Sequence, residues 1–165
     1  MKKLWAPWRM EYIRESIIEN NEGCIFCLGK EVDKDRERLI LHRGERAFVM
    51  MNKFPYNNGH MLIAPYRHIA DFNDLTDEES LEMQRLLGRC ITAVKATMHP
   101  QGFNIGLNLG RVAGAGIEDH LHYHILPRWT GDTNFLPVFG EVKVISEALR
   151  ETYDHLKAEF DKMMK

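Results

Sequence analysis

Residues 120–129, His-Leu-His-Tyr-His-Ile-Leu-Pro-Arg-Trp, place three of the chain's eight histidines at alternate positions and continue into an apolar run. Alternation at a period of two marks a strand, on which successive side chains point to opposite faces. His120, His122 and His124 then share one face, in steps of roughly 6.6 Å, while Leu121, Tyr123 and Ile125 turn toward a core. Such a face admits three readings: solvated histidines on an edge strand, a catalytic metal site, or a nucleophile or base whose neighbours set its tautomer and charge. An apolar face would penalise three imidazoles and a solvated one has no need of them, so the surroundings of the strand decide.

The stretch just before it, GLNLGRVAGAGIED (106–119), is glycine-bearing and carries only Glu118 and Asp119 as carboxylates. Backbone amides of such a loop converge on anionic oxygens, which suits a phosphate better than a metal. Further upstream, LILHRG (39–44) and RAFVMMN (46–52) predict two strands joined by a turn at Gly44, and HMLIAPY (60–66) a third that ends at Pro65. Thr76 followed by Glu79 is a capping box opening a helix, with Met83, Leu86, Leu87, Cys90, Ile91 and Val94 as its apolar face and Pro100 as its stop. GFNIGLNL (102–109) and the histidine segment are two more strands. A last helix is expected from Ser146, with Leu149, Tyr153, Leu156, Phe160 and Met163 in one stripe. Three strands, a helix, two strands and a helix predict an α+β domain: an antiparallel sheet of about five strands, a long central helix and a C-terminal helix. The expected organisation is an N-terminal arm with a short helix over 1–22, a domain over 23–140, and a C-terminal helix within 141–165 packed on that domain.

The chain's 165 residues suffice for one well-cored domain, and a net charge of −2 offers no basic field to track a nucleic-acid backbone. No apolar run approaches the roughly 18 residues of a membrane span. The start, MKKLWAPWRM, lacks the apolar segment of a secretory signal, and three cysteines do not make a disulfide framework, so a cytoplasmic protein is expected. Trp5 and Trp8 are read as packing anchors, Cys90 as core, and His42, His99 and His155 as surface residues. Cys24 and Cys27 in CIFC have zinc-knuckle spacing, but two ligands are not a site; a redox pair and two buried structural thiols are the alternatives.

On these motifs the chain resembles the histidine-triad (HIT) nucleotide hydrolases and transferases. HLHYHIL (120–126) matches their His-φ-His-φ-His-φ-φ pattern at every position, and NNGHMLIAPYRHI (57–69) is similar to their Gly-His-strand-Pro segment. The resemblance runs from about Cys24 to Trp129. LWAPWRMEYI, GFNIGLNLG and PRWTGDTNF look most like the branch that acts on diadenosine tetraphosphate. It implies a HIT-like fold in which His122 attacks the α-phosphorus of a nucleotide to form a nucleotidyl-histidine, with His124 and His60 as supporting histidines. It further implies that Asn108 and the loop of Gly114 and Gly116 face the phosphates, that Asn52 contacts ribose, and that Cys24, Cys27, His68 and His120 hold a structural zinc. An adenine nucleotide or dinucleoside polyphosphate as substrate, no organic cofactor and a homodimer complete the expectation. A phosphoramidate hydrolase, a nucleotide-binding signalling module with little turnover, and a metal-dependent oxygenase are the rivals. One departure stands out. Many members carry Gln, often followed by Ser, after the loop's Ala-Gly, whereas AGAGIED has neither and has one extra residue before His120.

Overall fold

The computed structural model describes residues 24–28, 32–132 and 147–163. Five strands form one antiparallel sheet: β1 (Ile40–Arg43), β2 (Ala47–Met51), β3 (Met61–Pro65), β4 (Gly102–Leu107) and β5 (Tyr123–Arg128). Their spatial order is β1-β2-β3-β5-β4, so the last strand in sequence inserts between β3 and β4 and brings the histidine segment to the middle of the sheet. The β1–β2 turn closes where the Gly44 amide donates to the Ala47 carbonyl at 2.8 Å.

Side-chain alternation gives the two faces of the sheet different jobs. One face carries Val49, Met51, Met61, Ile63 and Ile125 and is covered by α1 (Asp77–Met98) and α2 (Leu149–Met163). Met83, Leu86, Cys90 and Val94 of α1, with Tyr153, Leu156 and Phe160 of α2, complete this core, each large side chain contributing roughly 2 kcal/mol of burial. The other face holds a smaller cluster, Phe48, Met50, Leu62 and Ala64, capped by Phe26. His124 pairs with Leu62 on one side and Gly106 on the other, which puts its side chain on this second face.

The capping box is present. Thr76 Oγ1 accepts from the Glu79 amide, and the Glu79 carboxylate accepts from the Thr76 amide at 3.0 Å. Glu79 is also buried against Arg67, whose Nε donates to it at 2.7 Å and whose Nη2 donates to the Asp74 carbonyl. One carboxylate therefore starts α1 and ties down the segment that leaves β3, the segment bearing His68. The helix ends at Met98, two residues before Pro100, because His99 takes the left-handed conformation (φ 48°).

Two expectations need adjustment, and two fall outside the described residues. The histidine strand starts only at Tyr123; His120 and His122 lie before the ladder, where the chain leaves the glycine loop. His42 is half-buried, its ring stacked on Phe160 with centroids 6.2 Å apart, and burial lowers its pKa, whereas His99 and His155 are exposed as expected. The described part of the last helix begins at Leu149; Ser146 lies outside the described residues. So do Trp5, Trp8 and the expected N-terminal helix.

The Arg67 guanidinium holds the Glu79 carboxyl below the ordinary glutamate value. A carboxylate depressed in the folded state stabilises the protein above its unfolded pKa and loses that contribution as pH falls through the folded one. Glu79→Gln should cost about 2 kcal/mol near pH 7. That gap should stay full above about pH 5 and close as pH drops below about 4. Denaturant titrations of both proteins across this range measure it, and a pH-independent gap would contradict the ion-pair account.

Candidate active site

Two clusters form on the second face of the sheet, and His120 belongs to both. The first gathers one ligand atom from each of Cys24, Cys27, His68 and His120, all within 4.8 Å of one another. Cys24 Sγ lies 3.5 Å from His120 Nδ1, Cys27 Sγ lies 3.3 Å from His68 Nδ1, and Cys27 Sγ lies 3.9 Å from His120 Nδ1. Four such ligands around a tetrahedral zinc stand about 3.4–3.8 Å apart, so this donor set suits that metal. The ring of His120 is preset for the task. Its Nε2–H donates to the Pro65 carbonyl at 2.8 Å, leaving the Nδ1 lone pair directed at the thiols.

The second cluster is a relay of imidazoles whose tautomers follow from their neighbours. His60 Nδ1 accepts from the Tyr56 backbone amide at 3.1 Å and from Asn52 Nδ2 at 3.3 Å, so its proton sits on Nε2. That Nε2–H donates to His124 Nδ1 at 2.9 Å, and a neutral His124 then carries its own proton on Nε2. His122 is set the opposite way: its Nδ1–H donates to the His120 carbonyl at 2.8 Å, which leaves a lone pair on Nε2. Burial lowers the pKa of His122, partly offset by that hydrogen bond, and this favours the neutral, nucleophilic imidazole. One face thus presents a nucleophilic nitrogen beside an N–H donor.

The backbone explains these placements. Asn52 and His60 flank the β2–β3 connection as the next rung of the ladder, the Asn52 amide donating to the His60 carbonyl at 2.9 Å. Gly59 makes the turn into His60 at φ +70°, a left-handed conformation in which an L side chain would be strained. Asn52 is expected to contact ribose; here its side chain holds His60 and accepts from the Phe54 amide at 2.9 Å. Asn108 donates to the Gly114 carbonyl at 3.4 Å and so braces the glycine loop, where Gly114 is left-handed at φ 98° and Gly116 is exposed. Glu118 and Asp119, the only carboxylates of that stretch, are exposed.

Two aromatic neighbours escaped the sequence reading. Phe26 packs on His122 with ring centroids 4.6 Å apart, and Tyr56 covers His60 at 4.9 Å and His124 at 5.9 Å. Phe26 is one of the two residues enclosed by the thiol pair, and its neighbour Ile25 is exposed. Tyr56 lies in a loop segment with no periodic signal.

The HIT domain model matches residues 34–131, and an AP-4-A phosphorylase of Mycobacterium tuberculosis is 37% identical over 165 residues, covering 97% of this chain and 85% of that protein. The chain belongs to the HIT family. An adenosine 5'-monophosphoramidase of Schizosaccharomyces pombe is 30% identical over 106 residues, covering 64% of this HIT chain and 74% of that protein. Among solved structures, a zinc-bound histidine triad family protein from Mycobacterium smegmatis superposes with a TM-score of 0.65 at 23% identity, over 86% of this chain and 95% of that one, which shows the shared fold. No helix among the described residues of this HIT chain is long and apolar enough to cross a membrane.

The hydrogen bonds above fix a tautomer pattern: proton on Nδ1 for His122, and on Nε2 for His60, His120 and His124. Nitrogen-15 imidazole spectra near neutral pH should report it site by site. A His60 carrying its proton on Nδ1 would break the relay as described.

Proposed function

We propose that this chain cleaves a dinucleoside polyphosphate, with diadenosine tetraphosphate as the leading substrate, at an α-phosphate through a nucleotidyl-histidine intermediate. The carrying observation is the hydrogen bond from His122 Nδ1 to the His120 carbonyl, which leaves a basic lone pair on Nε2. Similarity to the mycobacterial AP-4-A phosphorylase supports the substrate class.

His122 Nε2 attacks the α-phosphorus, the bond from that phosphorus to the bridging oxygen breaks, and the remaining nucleoside polyphosphate departs with the electron pair. A phosphate oxygen or water then attacks the same phosphorus and frees the histidine; from diadenosine tetraphosphate, phosphate yields ATP and ADP. The Nε2–H of His124, held by His60 and Asn52, serves the nonbridging oxygens together with the amides of the loop around Gly114 and Gly116. Asn108 keeps that loop in shape.

The leaving group follows from the loop's composition. Between Gly110 and Ile117 there is no hydroxyl or carboxamide side chain to protonate a departing amine, and Glu118 and Asp119 face solvent. A polyphosphate leaves as a stabilised anion without such help. A phosphoramidate substrate is the second reading, favoured by the likeness to the yeast phosphoramidase.

We assign Cys24, Cys27, His68 and His120 to a structural zinc, which when bound closes the N-terminal turn onto the segment before β5. The edge of β4, with Ile105 exposed on it, Leu109 exposed two residues beyond its end and β5 as its one neighbour among the described residues, supports a homodimer in which two sheets meet at that edge. Free thiols in a metal cluster fit a reducing cytoplasm.

His122→Ala should lower turnover of diadenosine tetraphosphate about a thousandfold or more while nucleotide binding persists, and wild type should trap an adenylyl group detectable by mass spectrometry. Near-normal turnover in the variant would sink the nucleophile, and a phosphoramidate preferred by more than about tenfold in kcat/KM would replace the substrate. Purified protein should contain about one zinc per chain, lost in Cys27→Ser. A fully stable, metal-free protein would exclude the site. Light scattering should give twice the chain mass of 19.3 kDa, and a monomer at working concentration would refute the dimer.

A further inference from the structure

The turn that carries the two thiols does more than present sulfur. Cys24 and Cys27 close it through the Cys27 amide, which donates to the Cys24 carbonyl at 3.0 Å, and of the two residues inside the turn Ile25 is exposed while Phe26 is 1% exposed. Its ring lies against His122 at 4.6 Å with an interplanar angle of 34°, against His120 at 5.3 Å, and 6.4 Å from Phe48 of β2. His122 has His124 as a further ring neighbour, edge-on at 4.8 Å.

A hydrogen bond at Nδ1 fixes one atom of the His122 ring and leaves the plane free to rock about that contact. Attack on phosphorus needs the Nε2 lone pair aligned with the bond being broken, so rocking dilutes the productive geometry. A ring face packed on the imidazole removes that freedom at little entropic cost, because Phe26 is itself locked between the thiol turn and Phe48.

We propose that Phe26 is a positioning residue for His122: its ring, held by the Cys24–Cys27 turn, sets the plane of the imidazole so that Nε2 faces the scissile phosphorus. The proposal rests on His122 being the nucleophile. It separates Phe26 from an ordinary core residue, whose replacement changes stability alone, and from a substrate contact, whose replacement changes KM.

The test uses full-length Phe26→Leu, which keeps an apolar side chain of similar reach, and Phe26→Tyr, which keeps the ring face. Both are checked first for zinc content and melting temperature. With diadenosine tetraphosphate, Phe26→Leu should lose about tenfold in kcat with KM within about twofold, and Phe26→Tyr should recover most of the loss. Nitrogen-15 and proton spectra of the unliganded proteins supply a readout independent of turnover. The His122 ring resonances should shift and broaden in Phe26→Leu, while those of His60 stay in place. An unchanged kcat with unmoved His122 resonances would overturn the proposal, as would a loss confined to KM. If Phe26→Leu fails to fold, Phe26→Met takes its place; loss of fold and zinc in both would make the ring a core residue and overturn it too. His122→Ala separates the two claims. If that variant is inactive and Phe26→Leu is normal, only the positioning role fails; if His122→Ala turns over normally, the nucleophile itself was misassigned.

Discussion

Three atoms of His120 are committed to three different partners, and the rest of the site depends on that arrangement. Its Nε2–H donates to the Pro65 carbonyl at the end of β3, its Nδ1 turns to the two thiols, and its carbonyl accepts from His122. A buried imidazole, 0% exposed here, is costly unless its polar atoms are met, and each of these contacts meets one. Because the contacts are simultaneous, the ring of His120 faces the thiol turn while its backbone carbonyl determines which nitrogen of His122 stays basic. The residue that begins the triad is the joint between the Cys/His cluster and the imidazole relay, and the residue that follows it on the same face inherits its orientation.

The sheet makes this arrangement affordable. Its helix-covered face holds the large apolar core, so the opposite face is free to bury polar groups around a small cluster of Phe26, Phe48, Met50, Leu62 and Ala64. In that low-dielectric setting His60, His122 and His124 stay ordered because each has a defined partner: the backbone amide of Tyr56 sets the N–H directions of His60 and His124, and the His120 carbonyl sets that of His122. A charge developing on a phosphate oxygen would meet dipoles already in place, which is the economical form of transition-state stabilisation.

Support for the relay comes from the same devices that shape the fold. Gly59 makes the turn into β3 and thereby aims His60; Asn52, one residue past β2, closes the rung and holds the ring. Glu79 begins the long helix and, through Arg67, anchors the chain next to His68. A substitution at any of these positions alters stability and site geometry together, whereas Phe26 and the glycine loop touch the site with less consequence for the principal core.

Much was legible in the sequence itself. The capping box at Thr76 and Glu79 located the long helix, and alternation in HLHYHIL located the second half of its strand from Tyr123 on, because periodicity and caps are local consequences of backbone geometry. Residue chemistry singled out three histidines, a thiol pair and a glycine loop without hydroxyls, and folding brings the histidines and the thiols together. The four-ligand set and the family came from resemblance in pattern, and the clustering of Cys24, Cys27, His68 and His120 agrees with that set. What the tertiary structure alone decided is nonlocal. The strand order β3-β5-β4 buries the histidines centrally, the ladder starts only at Tyr123, His42 turns inward onto Phe160, and Phe26 comes to rest on His122. Tautomers belong to the same class, since a proton's position on an imidazole is set by whichever donor or acceptor folding brings to the other nitrogen, across 96 residues for Cys24 and His120 and 64 for His60 and His124. Local pattern specifies which residues can carry the chemistry; only long-range packing specifies which nitrogen does.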